Sequence, residues 1–328
     1  MKSAIGVMLS AAVVCGTASA QSLLVVNQGN ATVSVIDPAS GKQVAVIEEK
    51  TPGVHGHEVV ASRDGRTAFL PIYGSTGVGK PGIDGHEMLV IDVPSRKVVG
   101  DMQFGHAVRP HEPVLDAKRN LLYVTTELDK AVTVIDPKTR KIIGSVPTGA
   151  EQSHMLVLSH DGTRGYTANV GPGSVSVLDM VGRKTIAVIP VSHEVQRIAI
   201  SNDGRWVFTS DQREPMLAVI DTRTNKVARW VELPGTGYGA APTPDGKWLL
   251  VCVPSANEVA LVDLSAMRVA NAIKVPATPQ EILIPPDGTV AYVSCNRSGK
   301  VAAIDLNGWK VVKVIDAGPG ADGMAWAK

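Results

Sequence analysis

The chain has 328 residues, of which 44% are hydrophobic and 19% are charged, and its formal net charge is +1. These values are typical of a globular protein with a large core, and they exclude a disordered chain. Balanced charge and an aromatic content of 4% also disfavour nucleic acid or an anionic membrane surface as a partner.

Residues 1–20 have the three parts of a secretory signal peptide. Lys2 supplies the positive charge, residues 4–14 form an apolar stretch, and Ala18-Ser19-Ala20 fits the small-x-small cleavage pattern. The apolar stretch is too short for a permanent membrane-spanning helix. We therefore expect cleavage before Gln21 and a periplasmic or secreted protein without a membrane span in its mature chain.

One sequence pattern recurs along the rest of the chain: a short run of alternating apolar residues that ends in Asp. The first spacing between copies is 55 residues, and the later ones are 44, 43, 42, 42 and 42. Because Asp side chains accept hydrogen bonds from nearby backbone N–H groups, we expect these aspartates to cap turns. The seven copies end at Asp37, Asp92, Asp136, Asp179, Asp221, Asp263 and Asp305.

A second turn signal is the Asp-Gly pair, as in Asp64-Gly65, which lies between two apolar runs in five of the repeats. Asp-Gly predicts a hairpin because Gly accepts the positive φ that such turns need. Each repeat of about 42 residues contains apolar runs separated by turn signals, and their number predicts four short strands. Four strands in a repeat of this length are typical of a β-propeller blade. The sequence therefore predicts an all-β, seven-bladed β-propeller with four-stranded antiparallel blades, formed as a single domain by residues 21–328.

The two ends of the mature chain predict how the ring closes. LLVVN, at residues 23–27, matches the second strand of a blade, and GMAWA, at residues 323–327, matches a first strand. We expect the C-terminal strand to join the N-terminal blade and pair with its open edge. An open solenoid is the alternative architecture.

Three segments carry a resemblance to a known family. Tyr123-Val124-Thr125-Thr126 nearly spells the YVTN signature, and residues 166–169 and 292–294 are looser copies. The repeats resemble the YVTN family of seven-bladed β-propellers and are similar to lactonase-like and cytochrome d1-type propellers. The resemblance implies the propeller fold over the whole mature chain, and it leaves the chemistry open because one scaffold hosts many functions.

Aligning the repeats on their Asp-Gly turns places one residue of each blade at the start of its innermost strand. Innermost strands line the central channel of a propeller, so these equivalent positions form a ring around one axis. The column consists of His57, His111, His154, Gln196, Tyr238, Gln280 and Asp322. Three adjacent blades each supply a His, and imidazole is a common metal ligand.

The column predicts a metal site of His57, His111 and His154 at the mouth of the channel, with Gln280 and Asp322 as further ligands. The cofactor would be a divalent or copper ion. Zn or Cu suits His ligands best, and Mn or Fe becomes a suitable ion if Gln280, Asp322 or Glu112 is also a ligand. The alternative is a hydrated polar mouth in which the histidines only form hydrogen bonds.

Other polar residues lie on loops that the topology brings to the same face. Tyr238, His193 and Glu112 are the candidates for acid or base catalysis. An insertion at residues 74–87, which explains the spacing of 55, is either a cover over the histidines or a surface loop. The candidates for substrate binding are His86, Glu87, Arg109, Gln196 and Arg197.

Two functions stay open at this point. The first is a metal-dependent enzyme, a lyase, lactonase-like hydrolase or oxidoreductase, that acts on a small or oligomeric substrate. The second is a non-catalytic periplasmic propeller that binds a cofactor or a protein partner. No CxxCH motif is present, which excludes covalent c-type haem. We expect a monomer in which Cys252 and Cys295 are buried free thiols, although export permits a disulfide.

Overall fold

The computed structural model describes residues 21–328, so the predicted signal peptide lies outside the described residues. Seven antiparallel sheets, the blades, follow one another around a ring. The predicted seven-bladed propeller is confirmed. In chain order the strands are β1 (Ser22–Asn27), β2 (Thr32–Asp37), β3 (Lys42–Glu48), β4 (His55–Gly56), β5 (Val60–Ala61), β6 (Thr67–Gly74), β7 (Asp84–Asp92), β8 (Lys97–Gln103), β9 (Pro110–Asp116), β10 (Leu121–Thr126), β11 (Ala131–Asp136), β12 (Lys141–Pro147), β13 (Ser153–Leu158), β14 (Arg164–Asn169), β15 (Ser174–Asp179), β16 (Lys184–Pro190), β17 (Val195–Ile200), β18 (Trp206–Asp211), β19 (Met216–Asp221), β20 (Lys226–Glu232), β21 (Ala240–Pro242), β22 (Trp248–Val253), β23 (Glu258–Asp263), β24 (Arg268–Lys274), β25 (Pro279–Leu283), β26 (Val290–Cys295), β27 (Lys300–Asp305), β28 (Lys310–Asp316) and β29 (Ala321–Ala327).

Blade 1 contains β29 and β1–β3, blade 2 contains β4–β8, and each later blade contains four consecutive strands. In blade 2 the innermost strand is split into the short segments β4 and β5, which both pair with β6. Short 3₁₀ turns occur at Pro254–Ala256 and Asn296–Ser298. Within residues 21–328, no helix has the length and apolar character needed to cross a membrane.

The repeated aspartates and Asp-Gly pairs act as the sequence predicts. Asp136, for example, accepts hydrogen bonds from the backbone N–H groups of Lys138 and Thr139 at 2.9 and 3.3 Å. The other six aspartates make equivalent bonds in their own blades. Gly65, in an Asp-Gly turn, has a φ of +68°, a conformation that side chains with a Cβ disfavour.

The hydrophobic core lies largely between neighbouring blades. One apolar cluster joins Leu250 and Leu261 of blade 6 to Ala291 and Val293 of blade 7, and other clusters join other neighbouring blades in the same way. Cys252 and Cys295 belong to this cluster as buried free thiols, as predicted. Because each blade packs on both neighbours, an unclosed ring would leave apolar surface exposed.

The ring is closed by antiparallel pairing of β29 with β1. Leu23 lies opposite Trp326, and Val25 lies opposite Met324. The two half-blades predicted from the ends of the chain are therefore one four-stranded blade. Because the last strand comes from the far end of the chain, blade 1 holds the first and last parts of the fold together.

Deletion of residues 321–328 is expected to lower the melting temperature by about 10 °C or more and to promote aggregation. The deletion removes the buried side chains of Met324 and Ala325 and leaves the edge of β1 unpaired. Thermal scanning and light scattering would measure both effects, and removal of Lys328 alone is the control. Unchanged melting after the longer deletion would contradict this closure.

Candidate functional site

Two consecutive residues, rather than one, face the channel at the start of several innermost strands. In β9, Pro110 lies opposite Thr126 and Pro113 lies opposite Val124, so one extra residue is accommodated at His111 and Glu112. Similar irregularities interrupt β13, β17 and β25. A β-bulge of this kind breaks the alternation of side chains between two faces. The residue that follows the predicted column therefore also contributes to the centre of the ring.

The three histidines predicted from the column lie together. The ring centroids of His57 and His111 are 5.3 Å apart, and those of His111 and His154 are 3.6 Å apart. Tyr73, fully buried on β6, packs against all three at 4.8 to 5.5 Å. Burial lowers the pKa of each imidazole, so the histidines are neutral at pH 7. Neutral imidazole is the form that binds metals.

Four carboxylic acids surround a single buried guanidinium beside the histidines. Arg197 is 4% exposed and lies 2.5 Å from Glu58 and 2.9 Å from Asp322, measured between nitrogen and oxygen atoms. Burial raises the pKa of Glu58 to about 7, and it raises the pKa of Glu112, Glu281 and Asp322 as well. One guanidinium cannot neutralise four carboxylates, so further positive charge, as protons or a cation, is needed here.

Glu58, His111 and Glu112 form the most compact group of metal-ligating side chains. Each offers one ligand atom, and these atoms all lie within 4.8 Å of one another. Within residues 21–328, Nδ1 of His111 and Oε2 of Glu112 are buried and have no hydrogen-bond partner, and the same is true of Nε2 of His57. Buried polar atoms are rarely left unpaired. Their convergence indicates a place for a bound ion.

The insertion at residues 74–87 is connected to the histidines through Arg109 and Tyr73. Arg109, which is 5% exposed, donates to the carboxylate of Asp84 and to the carbonyl of Lys80. Its guanidinium also lies 5.6 Å from the ring centre of Tyr73, whose hydroxyl donates to Glu127 at 2.5 Å. The face that carries this insertion is called the loop face below. The structure ties the insertion to Arg109, and its role as a cover over the histidines stays a prediction.

A cavity of about 560 Å³ reaches the same centre from the other side. Its lining includes His160 and Gly162, which belong to an Asp-Gly turn, and the face that carries these turns is called the turn face below. Glu58, Glu112 and Glu281 line its inner end. The sequence predicts an open mouth beside the histidines; the structure has a cavity on the loop face, lined by Gln28 and His55, as well as this one on the turn face.

The other predicted site residues are placed as follows. Tyr238, Gln196 and Gln280 are half-buried in the ring, and the Tyr238 ring packs on the guanidinium of Arg197 at 4.9 Å. His86 and His193 are exposed. Their side chains do not join the buried cluster.

Glu87 also stands apart from the cluster and accepts a hydrogen bond from Gln103 at 3.0 Å. The reason is topological for His86 and Glu87. They lie on β7, the third strand of its blade, at a distance from the axis.

Several residues of the centre were missed by the sequence analysis. Glu58 and Glu281 each follow a residue of the predicted column, so reading the next position of the same alignment would have found them. Tyr73 and Glu127 lie outside the innermost strands, and no repeated pattern marks them. Arg109 and Arg197, predicted to bind substrate, are instead engaged by carboxylates of the protein.

Glu49 fixes the segment that leads to His57. Its side chain is buried, and its Oε2 accepts the backbone N–H of Gly56 at 3.0 Å. Burial raises the pKa of Glu49 to about 7. Because the folded state holds this proton more tightly than the unfolded chain, the stabilisation is complete below about pH 4.5 and is lost as the pH rises through 7.

Glu49→Gln is therefore expected to stabilise the protein at pH 8 by up to about 3 kcal/mol relative to the wild type, with little difference at pH 4.5. Urea unfolding at the two pH values would measure the effect. Glu48→Gln, which changes the neighbouring exposed carboxylate, is the control. An equal effect of Glu49→Gln at both pH values would contradict the proton linkage.

Fold and site together define a seven-bladed propeller with a buried polar centre on its axis. Residues 116–244 match the family model described as the cytochrome D1 heme domain, which is less than half of the chain. No curated protein matches the sequence. The resemblance to lactonase-like and cytochrome d1-type propellers is confirmed at the level of the fold.

Three solved structures are similar to the chain. Hydrazine synthase of Kuenenia stuttgartiensis is 18% identical with a TM-score of 0.70, over 84% of this chain and 90% of that chain. Dihydro-heme d1 dehydrogenase NirN in complex with DHE is 15% identical with a TM-score of 0.68, over 96% of this chain and 77% of that chain. Periplasmic gluconolactonase PpgL of Pseudomonas aeruginosa is 18% identical with a TM-score of 0.71, over 94% of this chain and 99% of that chain. At these identities the likeness shows the fold alone.

The residues at the centre do not fit a haem. The imidazoles of His111 and His154 lie 3.6 Å apart between ring centroids, which leaves no space for a macrocycle between them. The cavity on the turn face ends in Glu58, Glu112 and Glu281, and carboxyl groups are not among the usual axial ligands of haem iron. A single metal ion needs much less space and suits the same nitrogen and oxygen atoms.

Proposed function

We propose that the protein is an exported, metal-dependent hydrolase that acts on a small molecule in the central channel. The ion would be held by His111 together with Glu58 and Glu112, and His57 and His154 would lie beside it. The observation that carries this proposal is the compact group of Glu58, His111 and Glu112, in which His111 and Glu112 each have a buried atom without a hydrogen-bond partner. Export is supported by the signal-peptide pattern of residues 1–20 and by the periplasmic gluconolactonase of similar fold.

The ligand chemistry narrows the choice of ion. One imidazole with two carboxylates suits Zn²⁺, Mn²⁺ or Fe²⁺, whereas copper favours sites richer in nitrogen or sulfur. Asp322, predicted from the column as a further ligand, accepts hydrogen bonds from Arg197 and Gln28. In this proposal Asp322 orients Arg197, and Arg197 in turn holds Glu58. Such an ion, when bound, polarises a carbonyl group and activates water.

Glu281 is assigned the role of proton donor. Burial raises the pKa of its carboxyl group, which favours the protonated form, and the half-buried side chain lines the cavity. The backbone N–H of Met324 donates to one carboxyl oxygen and fixes its orientation. A protonated carboxyl group at the inner end of a substrate cavity can donate a proton to a leaving group. Glu281 thus takes the role for which Tyr238, His193 and Glu112 are the sequence candidates.

Hydrolysis of lactone-like esters is the reaction class that this arrangement supports best. The cavity has room for a small molecule, and the acid and the ion site lie at one end of it. One of the structures with the same fold is a gluconolactonase. Lyase and oxidoreductase chemistry lack a comparable supporting observation.

The test begins with metal analysis of protein purified without a histidine tag. We expect about one ion per chain, loss of δ-gluconolactone or δ-decalactone hydrolysis after chelation, and recovery when the ion is restored. Glu281→Gln should keep the ion and lose turnover, because it removes a proton and not a ligand. Absence of metal and of hydrolysis would favour the alternative of a non-catalytic binding propeller.

A further inference from the structure

We infer that the substrate enters through the turn face, opposite to the face that carries the insertion, and that it carries an apolar arm. The kind of reaction is taken from the proposed function, whereas the route of entry is inferred from the shape of the channel. It differs from the expectation that loops beside the histidines receive the substrate. The route rests on a comparison of two cavities. The turn-face cavity is lined by Glu58, Glu112 and Glu281, whereas a loop-face cavity lined by Gln28 and His55 has none of these three groups in its lining.

On the loop side, protein side chains lie between solvent and the reacting groups. Arg109 ties the insertion down over Tyr73, and the imidazoles beneath are at most 9% exposed. Across the rest of the channel, Arg197 of blade 5 joins Glu58 of blade 2 and Asp322 of blade 1. These three side chains are 3 to 4% exposed. A substrate arriving from this side would have to break buried ion pairs.

On the turn side, the cavity leads directly to the same carboxylates. Glu112 and Glu281 are half-buried, whereas Arg197 and Asp322, beyond them, are buried. The half-buried Glu112 and Glu281 line the cavity of about 560 Å³ together with the buried Glu58. This volume lies in the usual range for sites that bind small molecules.

The chemistry of the cavity defines the kind of substrate. Its walls include the apolar side chains of Leu115, Leu156 and Leu158, and its inner end is acidic. Apolar walls bind an alkyl chain by removing it from water. These leucines favour a lactone that carries an alkyl chain over a sugar lactone, whose hydroxyl groups would lose their hydrogen bonds to water against apolar walls.

The experiment obstructs each side in turn. Leu158→Cys places a thiol in the cavity wall, and Gly77→Cys places one in the insertion, where a new Cβ meets no atom within 4 Å. A bulky maleimide should label either thiol selectively because Cys252 and Cys295 are buried. Binding of δ-decalactone, measured by calorimetry, is the first readout, because it needs neither turnover nor metal.

The label at residue 158 is expected to weaken δ-decalactone binding by at least about tenfold, and the label at residue 77 by less than about twofold. δ-Valerolactone, which lacks the alkyl chain, should bind about tenfold more weakly than δ-decalactone to the unlabelled protein. The reverse pattern of the two labels, or binding unaffected by both, would overturn the inferred route. Binding without any hydrolysis would instead count against the proposed function and leave the route intact.

Discussion

Replacement of Arg197 by Met is expected to lower the free energy of unfolding by about 3–5 kcal/mol at pH 8. Met has a similar length, so the change removes the positive charge and little volume. Glu58 and Asp322 would then lie buried without their ion-pair partner, beside the carboxyl groups of Glu112 and Glu281. Urea unfolding of wild type and variant would measure the difference.

The effect should be smaller at pH 5. These carboxyl groups have raised pKa values in the folded protein, and loss of the guanidinium raises them further, so folding takes up more protons. Proton uptake on folding stabilises the folded state increasingly as the pH falls. Arg205→Met, which removes an exposed guanidinium from above Trp206, is the control and should cost less than about 1 kcal/mol. A cost below about 1 kcal/mol for Arg197→Met at pH 8 would show that the centre does not depend on this charge.

His111→Ala is expected to weaken metal binding by about 100-fold or more, because it removes the ligand shared by the histidine cluster and the Glu58–Glu112 pair. Competition with a chelator of known affinity would measure this change. His106→Ala is the matched control: its imidazole is 63% exposed and pairs with Asp129. Equal metal binding by wild type and His111→Ala would refute the proposed site.

Two further variants decide which groups accompany His111. If the carboxylates complete the site, Glu112→Gln weakens binding as strongly as His111→Ala, and His57→Ala has a smaller effect. If three imidazoles hold the ion, as the column of histidines predicts, the order of the two effects is reversed. Circular dichroism should show intact blades in both variants, because the cores between blades lie outside the channel.

The fold could be predicted from the sequence because its signals are repeated. One Asp-capped turn is weak evidence, but seven copies at nearly constant spacing, such as those ending at Asp136 and Asp179, leave little choice of architecture. Ring closure followed from comparing the ends of the chain with the internal repeats. Such equivalence between blades also explains why His57, His111 and His154 could be placed together before any distance was known.

The rest of the site depends on features that an alignment of repeats does not contain. Irregular pairing in β9, β17 and β25 turns a second residue toward the axis, and the alternation expected of a regular strand conceals it. Tyr73 reaches the histidines from a second strand, which depends on tertiary packing. The open side of the channel depends on the ion pairs of Arg109 and Arg197, and these partners are far apart in the sequence.

The pairing of β1 with β29 also sets the order in which the molecule can be made. During synthesis β1 emerges first and its partner last, so at roughly 5–20 residues per second the first strand waits for tens of seconds. Nascent chains of every intermediate length carry an unsatisfied β edge that can pair with another chain. The ring can therefore close only after β29 has been made, and its biogenesis should be sensitive to chaperones that protect exposed strands.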